Sequence, residues 1–193
     1  MTFKLPEDIA TRPIAILGAG TLGRRIALML ATRGAEVRLY ARSAATRDAG
    51  VAFAKEQLPA VLAKLPGSKA GAIVGVDDVA TALKDAWIVF ESVPEDLGLK
   101  KDIFKQVAAL SDADAILASN SSSYSSSAFA DGVKNPARLL NTHFLMPPEI
   151  IPVELMSCGV HHHWREALSA QGRSGLPGSG WLLLHNRSGE AND

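Results

Sequence analysis

The chain has 193 residues, 47% hydrophobic and 21% charged, with 20 basic side chains against 20 acidic ones, so its formal net charge is zero. That composition describes a globular chain with a real core, one domain and room for an appendage. It excludes the electrostatic footprint of a nucleic-acid binder or an anionic-membrane binder, so any anion recognition must be local. No apolar run reaches membrane-spanning length, and the start of the chain carries neither a secretory core nor an Arg-rich transit pattern. A single cysteine, Cys158, leaves no internal disulfide and no thiolate metal cluster, which fits a reducing compartment, and the expected address is cytoplasmic.

Met1 to Arg12 reads as a polar lead-in. Ile14, Ile16 and Leu17 then form a short β-prone run that stops in Gly18-Ala19-Gly20-Thr21-Leu22-Gly23, after which Leu22, Ile26, Met29 and Leu30 recur at helical spacing. In this strand, turn and helix, Gly18 takes the turn, Gly20 lets the backbone approach a phosphate with no Cβ in the way, and Gly23 lets the helix lie close on the strand. The free N–H groups of the first helical turn, with the helix dipole behind them, suit the pyrophosphate of a dinucleotide. The competing reading is an ordinary strand-to-helix turn.

Gly34 stops that helix and Glu36 to Tyr40 reads as the second strand. An NAD site normally has an acid at the end of this strand to accept hydrogen bonds from the ribose hydroxyls. Here the end reads Tyr40-Ala41-Arg42-Ser43, and Arg42 with Ser43 suits a 2′-phosphate instead. Both NAD and NADP are therefore open as cofactors, and a solvated Arg42 is the plain alternative.

Ser43 to Lys64 is expected to be helical and interrupted near Pro59, with Pro66-Gly67-Ser68 ending it. Ala72 to Val76 follows as a strand, and Asp77 or Asp78 caps a short helix through Leu83. Trp87 to Phe90 is an almost wholly apolar strand ending in Glu91-Ser92-Val93-Pro94-Glu95. Leu97, Ile103, Phe104, Val107 and Leu110 mark an amphipathic helix, and Ala115 to Ala118 is the next strand. Strand and helix thus alternate as in a doubly wound, mostly parallel α/β sheet, whose ligands sit beyond the carboxyl ends of the strands. Ser119 to Ser127 holds seven serines in nine residues. Composition alone makes it a linker, but its place after a core strand puts its hydroxyls at the cofactor crevice. Arg138 to Thr142 reads as a strand delivering His143, and Pro152 to Met156 as a last strand carrying Glu154.

In order and nearly in spacing, Ile16 to Gly23, Glu91 to Lys100, Ile116 to Ser123, and His143-Phe144 through Glu154 resemble the NAD-binding domain of the 3-hydroxyacyl-CoA dehydrogenase family. The resemblance runs from about Pro13 to Met156 and implies a Rossmann-type domain over residues 1–158. It also implies a hydride transfer between NAD and a 3-hydroxyacyl-CoA, or a related 3-hydroxy acid. By this resemblance Glu95 and Lys100 are cofactor contacts and Ser122 touches both nicotinamide and substrate. His143 is then the catalytic base and Glu154 its carboxylate partner. The chemistry agrees, because oxidising a secondary alcohol needs a base for the hydroxyl proton, and imidazole titrates at about 6.5. The family's Asn-Pro after the histidine reads Met146-Pro147 here.

The family continues into a helical domain that supplies a further catalytic asparagine, acyl-pocket residues and the dimer contact. Residues 159–193 do not read that way. They hold His161-His162-His163, one apolar run at Trp181-Leu182-Leu183-Leu184 and no helical period, and are expected to be an irregular tail foreign to the fold. Three consecutive histidines do not converge on one ion, so no metal site is expected. Three functional readings remain: an NAD(P)-dependent 3-hydroxyacyl-CoA dehydrogenase, a truncated dinucleotide-binding module with little turnover, or another hydroxy-acid dehydrogenase. Lys55, Lys64 and Lys69 suit coenzyme A phosphates or a solvated helix face equally. The expected partner is an acyl-CoA, with a homodimer possible.

Overall fold

The computed structural model describes residues 3–4, 6–144, 146–148, 153–156 and 182–185. Six parallel strands carry the fold: β1 (Ile14–Leu17), β2 (Val37–Tyr40), β3 (Ile73–Val76), β4 (Ile88–Glu91), β5 (Ile116–Ser119) and β6 (Leu139–His143). Antiparallel β7 (Val153–Met156) joins β6, and β8 (Leu182–His185) joins β7 in parallel. The sheet order is β3-β2-β1-β4-β5-β6-β7-β8. The chain therefore winds outward from β1 to one side, then restarts at β4 and winds to the other, leaving a topological switch point between β1 and β4. A crevice forms outside the carboxyl ends at such a point.

Four helices pack on the sheet: α1 (Thr21–Ala31), α2 (Ala44–Leu62), α3 (Val79–Leu83) and α4 (Leu97–Leu110). All four residues of β1 are buried, with Ile14 and Ile16 joining Ile26, Leu30, Leu39 and Leu58 on one face. Ala15 and Leu17 join Leu83, Phe104, Val107 and Phe129 on the other. A strand covered on both faces needs no polar alternation, which is why β1, β4 and β5 read as continuous apolar runs.

The helix starts follow local chemistry. Ser43, Asp78 and Asp96 each accept a hydrogen bond from the backbone N–H three residues on, capping α2, α3 and α4. Helix α1 starts from Gly20 with no side-chain cap at all. Gly34 takes φ +86°, as a helix stop requires.

Two expectations change. Helix α2 is not interrupted at Pro59, because the proline falls in the last turn, where its missing N–H removes a single bond and its own carbonyl still accepts from Ala63. The tail expected to be irregular from 159 onward contributes β8 at its apolar run, where the free edge of β7 supplies backbone partners. The histidine cluster 161–163 and Cys158 lie outside the described residues. Among the described residues no helix is long and apolar enough to cross a membrane, and no group of three or more His, Cys, Asp or Glu could hold a metal.

Candidate active site

One cavity of about 1090 Å³ opens along the carboxyl ends of the strands. Gly18, Ala19, Gly20, Thr21 and Leu22 line it at the first turn; Ala41, Arg42 and Ser43 line it at the end of β2; Glu95, Asn120, Ser122 and His143 line it beyond β4, β5 and β6. Ten of the thirteen residues singled out from the sequence as site residues, Arg42 and Ser43 included, are thus among those that line it. Gly23 and Lys100 lie behind the wall, and Glu154 falls where only the backbone is described.

The three glycines of the turn answer to different constraints. Gly18 takes φ +114°, and a Cβ there would lie 2.2 Å from the carbonyl oxygen of Ser92. A Cβ on Gly23 would lie 1.8 Å from the carbonyl oxygen of Gly18. The protein's own packing dictates both. A Cβ on Gly20 would meet nothing within 4 Å. Open space at Gly20, beside an uncapped helix start, has the shape and polarity that suit an anion: the N–H groups of the first turn lack side-chain partners and have the positive helix end behind them.

At the β2 end, Ala41 stands where a ribose-binding acid would stand, and the first turn of α2 holds no acid. Arg42 is exposed on the cavity rim. Ser43 has a second task, since its hydroxyl accepts from Thr46 N at 3.3 Å as the α2 cap.

Beneath the other end lies a buried polar network that the sequence reading passed over. Glu91, 1% exposed, accepts through Oε1 from Lys100 Nζ and from Val93 N, each at 2.8 Å, and through Oε2 from Ser119 Oγ at 2.7 Å. Lys100, also 1% exposed, reaches Glu95 Oε2 at 3.1 Å. It was expected to be a cofactor contact, but its ammonium faces two carboxylates behind the wall. Glu95 also accepts from Ser121 Oγ and, at 3.0 Å, from Ser123 N. Burial pushes the Glu95 carboxyl up, but these two donors and Lys100 outweigh it and hold the group below the usual carboxylate range. The signal was present in the sequence: an acid closing a wholly apolar strand needs buried partners, and a lysine follows it by nine residues.

The serine stretch is therefore ordered and divided in function. Ser119 and Ser121 turn inward to the carboxylates, while Ser122 is exposed to the cavity. Three bonds tie this loop to the end of β6: Asn141 Nδ2 to Ser121 O at 3.2 Å, Thr142 Oγ1 to Ser119 O at 3.0 Å, and Phe144 N to Asn120 Oδ1 at 3.0 Å. They fix His143 relative to Ser122. Across the sheet, the β6/β7 register sets Glu154 directly opposite His143.

A sheet that switches winding direction beside a bare, glycine-opened helix start defines a dinucleotide-binding α/β domain of the Rossmann type. Residues 13–159 match the family model described as 3-hydroxyacyl-CoA dehydrogenase, NAD binding domain, and the chain belongs to that family. It is 32% identical to 3-hydroxybutyryl-CoA dehydrogenase of Clostridioides difficile over 75% of this chain and 53% of that protein. It is 32% identical to 5-formyl-3-hydroxy-2-methylpyridine 4-carboxylate 5-dehydrogenase of Mesorhizobium japonicum over 74% of this chain and 47% of that one. The crystal structure of an NAD+-dependent dismutase, likewise a 5-formyl-3-hydroxy-2-methylpyridine 4-carboxylic acid 5-dehydrogenase, superposes with a TM-score of 0.78 at 27% identity. That match covers 91% of this chain and 58% of the other. The chain thus spans about half the length of these relatives.

Proposed function

We propose that this chain binds NAD along the cavity and serves hydride transfer between the cofactor and the hydroxyl-bearing carbon of a 3-hydroxyacyl-CoA, or a related 3-hydroxy acid, giving the 3-oxo compound. One observation carries the reading: a single cavity is lined by the uncapped glycine turn at one end and by Ser122 and His143 at the other. The residues suit the cofactor, since the space at Gly20 and the free N–H groups of α1 match a pyrophosphate.

When bound, NAD supplies the acceptor for the hydride. In this reading His143 takes the hydroxyl proton as the C–H electron pair leaves the same carbon, and returns it in the reverse direction. Ser122 orients the reacting oxygen by hydrogen bonding. Glu154 holds the imidazole in one tautomer and steadies the imidazolium, a pairing that the backbone register His143↔Glu154 supports. Gly18 to Gly23 form the phosphate turn, Glu95 faces the nicotinamide end, and Lys100 acts through Glu95. Arg42, with no acid at position 41, extends the choice to NADP. A cytoplasmic address, for which the solitary Cys158 speaks, and pairing of two copies belong to the same proposal.

The test is reduction of acetoacetyl-CoA followed by loss of NADH absorbance. Turnover supports the reading; tight NADH binding with no turnover would leave a binding module.

A further inference from the structure

Glu91, Lys100 and Glu95 form a chain of three charges in which only the last meets the cavity. Glu91 and Lys100 are each 1% exposed, whereas the Glu95 side chain is 36% exposed and lines the wall. Formally two carboxylates and one ammonium leave one negative charge. Lys100 lies within 2.8 Å of Glu91 and 3.1 Å of Glu95, so its charge is divided between them. Glu91 is itself fixed by Ser119 Oγ and Val93 N, which leaves it no freedom to turn away.

We propose that Glu91 is a positioning residue that sets the charge presented at the nicotinamide end: by engaging Lys100 it keeps Glu95 from being neutralised, and so favours the oxidised cofactor over the reduced one. The proposal rests on the reading that NAD lies in this cavity. The nicotinamide ring is cationic when oxidised and neutral when reduced, while the rest of the dinucleotide is unchanged. Ring shape also differs between the two, but it is common to every variant, so a change in the ratio of affinities between variants reports the change in local potential. Remove the Glu91 charge, and Lys100 cancels Glu95. Remove the Lys100 charge, and two carboxylates face one another. Remove both, and Glu95 alone restores the original sum. Arg42 and Asp102, which also line the cavity, are common to every variant.

The experiment measures dissociation constants for NADH by fluorescence and for NAD+ by calorimetry, on the full chain and on Glu91→Gln, Lys100→Met and the double variant. Glu91→Gln should shift the ratio of affinities toward NADH by roughly threefold to tenfold, and Lys100→Met should shift it the other way. The double variant should return to the wild-type ratio. Should Lys100→Met fail to fold, Glu91→Gln against the double variant decides, because replacing a whole buried ion pair is better tolerated than removing one partner. A purely structural role would weaken both cofactors by one common factor. A direct contact of Lys100 with the cofactor would leave the double variant no closer to wild type than Lys100→Met. Either result overturns the proposal. If the wild type binds neither dinucleotide, the cavity reading itself falls, and the proposal with it.

Discussion

Replacing Gly20 by alanine separates what the fold needs from what a ligand needs. Gly20 has φ −68° and ψ −168°, which alanine adopts without strain, and its Cβ would enter open space. Loss of unfolded-state freedom favours the variant by about 0.4–1 kcal/mol. Alanine's poorer showing at a helix N-cap offsets this by a few tenths of a kcal/mol or more. The expected net change in stability is within about 0.5 kcal/mol of zero. Binding should fare otherwise. A methyl group at the turn holds a phosphate oxygen away from the N–H groups of α1, and losing one charge-assisted hydrogen bond costs about 1.5–3 kcal/mol. That is a weakening of NADH binding by roughly tenfold to 150-fold. Gly18→Ala is the control, since positive φ and a Cβ 2.2 Å from Ser92 O should cost the fold itself about 3 kcal/mol or more. Urea unfolding and NADH fluorescence titration on the same preparations read both quantities. A Gly20→Ala protein that unfolds like wild type and also binds NADH like wild type would refute the phosphate-turn argument.

His143→Ala should lower kcat by on the order of 10²–10⁴ with cofactor affinity nearly unchanged, read by steady-state kinetics beside the titration; retained activity would exclude the histidine as base. Arg42→Ala should weaken NADPH by about tenfold and leave NADH alone. A strong wild-type preference for NADH, unaltered by the substitution, would show Arg42 to be a solvated rim residue. The Asp114 carboxyl is held below its ordinary range first by its hydrogen bond from Arg12, against an opposing effect of burial. Its contribution to stability is therefore complete above the ordinary aspartate value of about 3.9 and is lost as pH falls through the lower folded value. Asp114→Asn should flatten that part of the acid decline in urea midpoints, and an unchanged decline would locate it elsewhere.

The six parallel strands were legible because a strand buried on both faces leaves a continuous apolar run between turn residues, as in Ile14–Leu17 and in the first three residues of β4. The tight turn was legible because Gly18 and Gly23 answer to backbone contacts within the chain, while a Cβ at Gly20 would meet open space. The network below the cavity was legible only as a demand, since an acid closing an apolar strand needs a buried partner without the sequence saying which. Glu91 and Lys100 look like ordinary charges one helix start apart, and only the closing of α4 onto the end of β4 makes them a buried pair. In the serine stretch, position overrode composition: seven small hydroxyls suit a linker, but their place after β5 put them at the crevice, where Ser122 lies. Ser119 and Ser121 are instead held by carboxylates twenty-six or more residues away in sequence. The strand at Leu182–His185 was hidden for a different reason: three leucines in a row carry no period, and the edge of β7 gives them their pairing.

The central claim is that a nicotinamide ring bound from the glycine turn arrives beside His143. The ring signals of His143, assigned by their loss in His143→Ala, can be followed by NMR during titration with NAD+ and with ADP-ribose, which has the same phosphates and adenosine but no nicotinamide. The signals should move on saturation with NAD+ and stay in place with ADP-ribose. Signals unmoved by NAD+, or moved alike by both ligands, would contradict the claim.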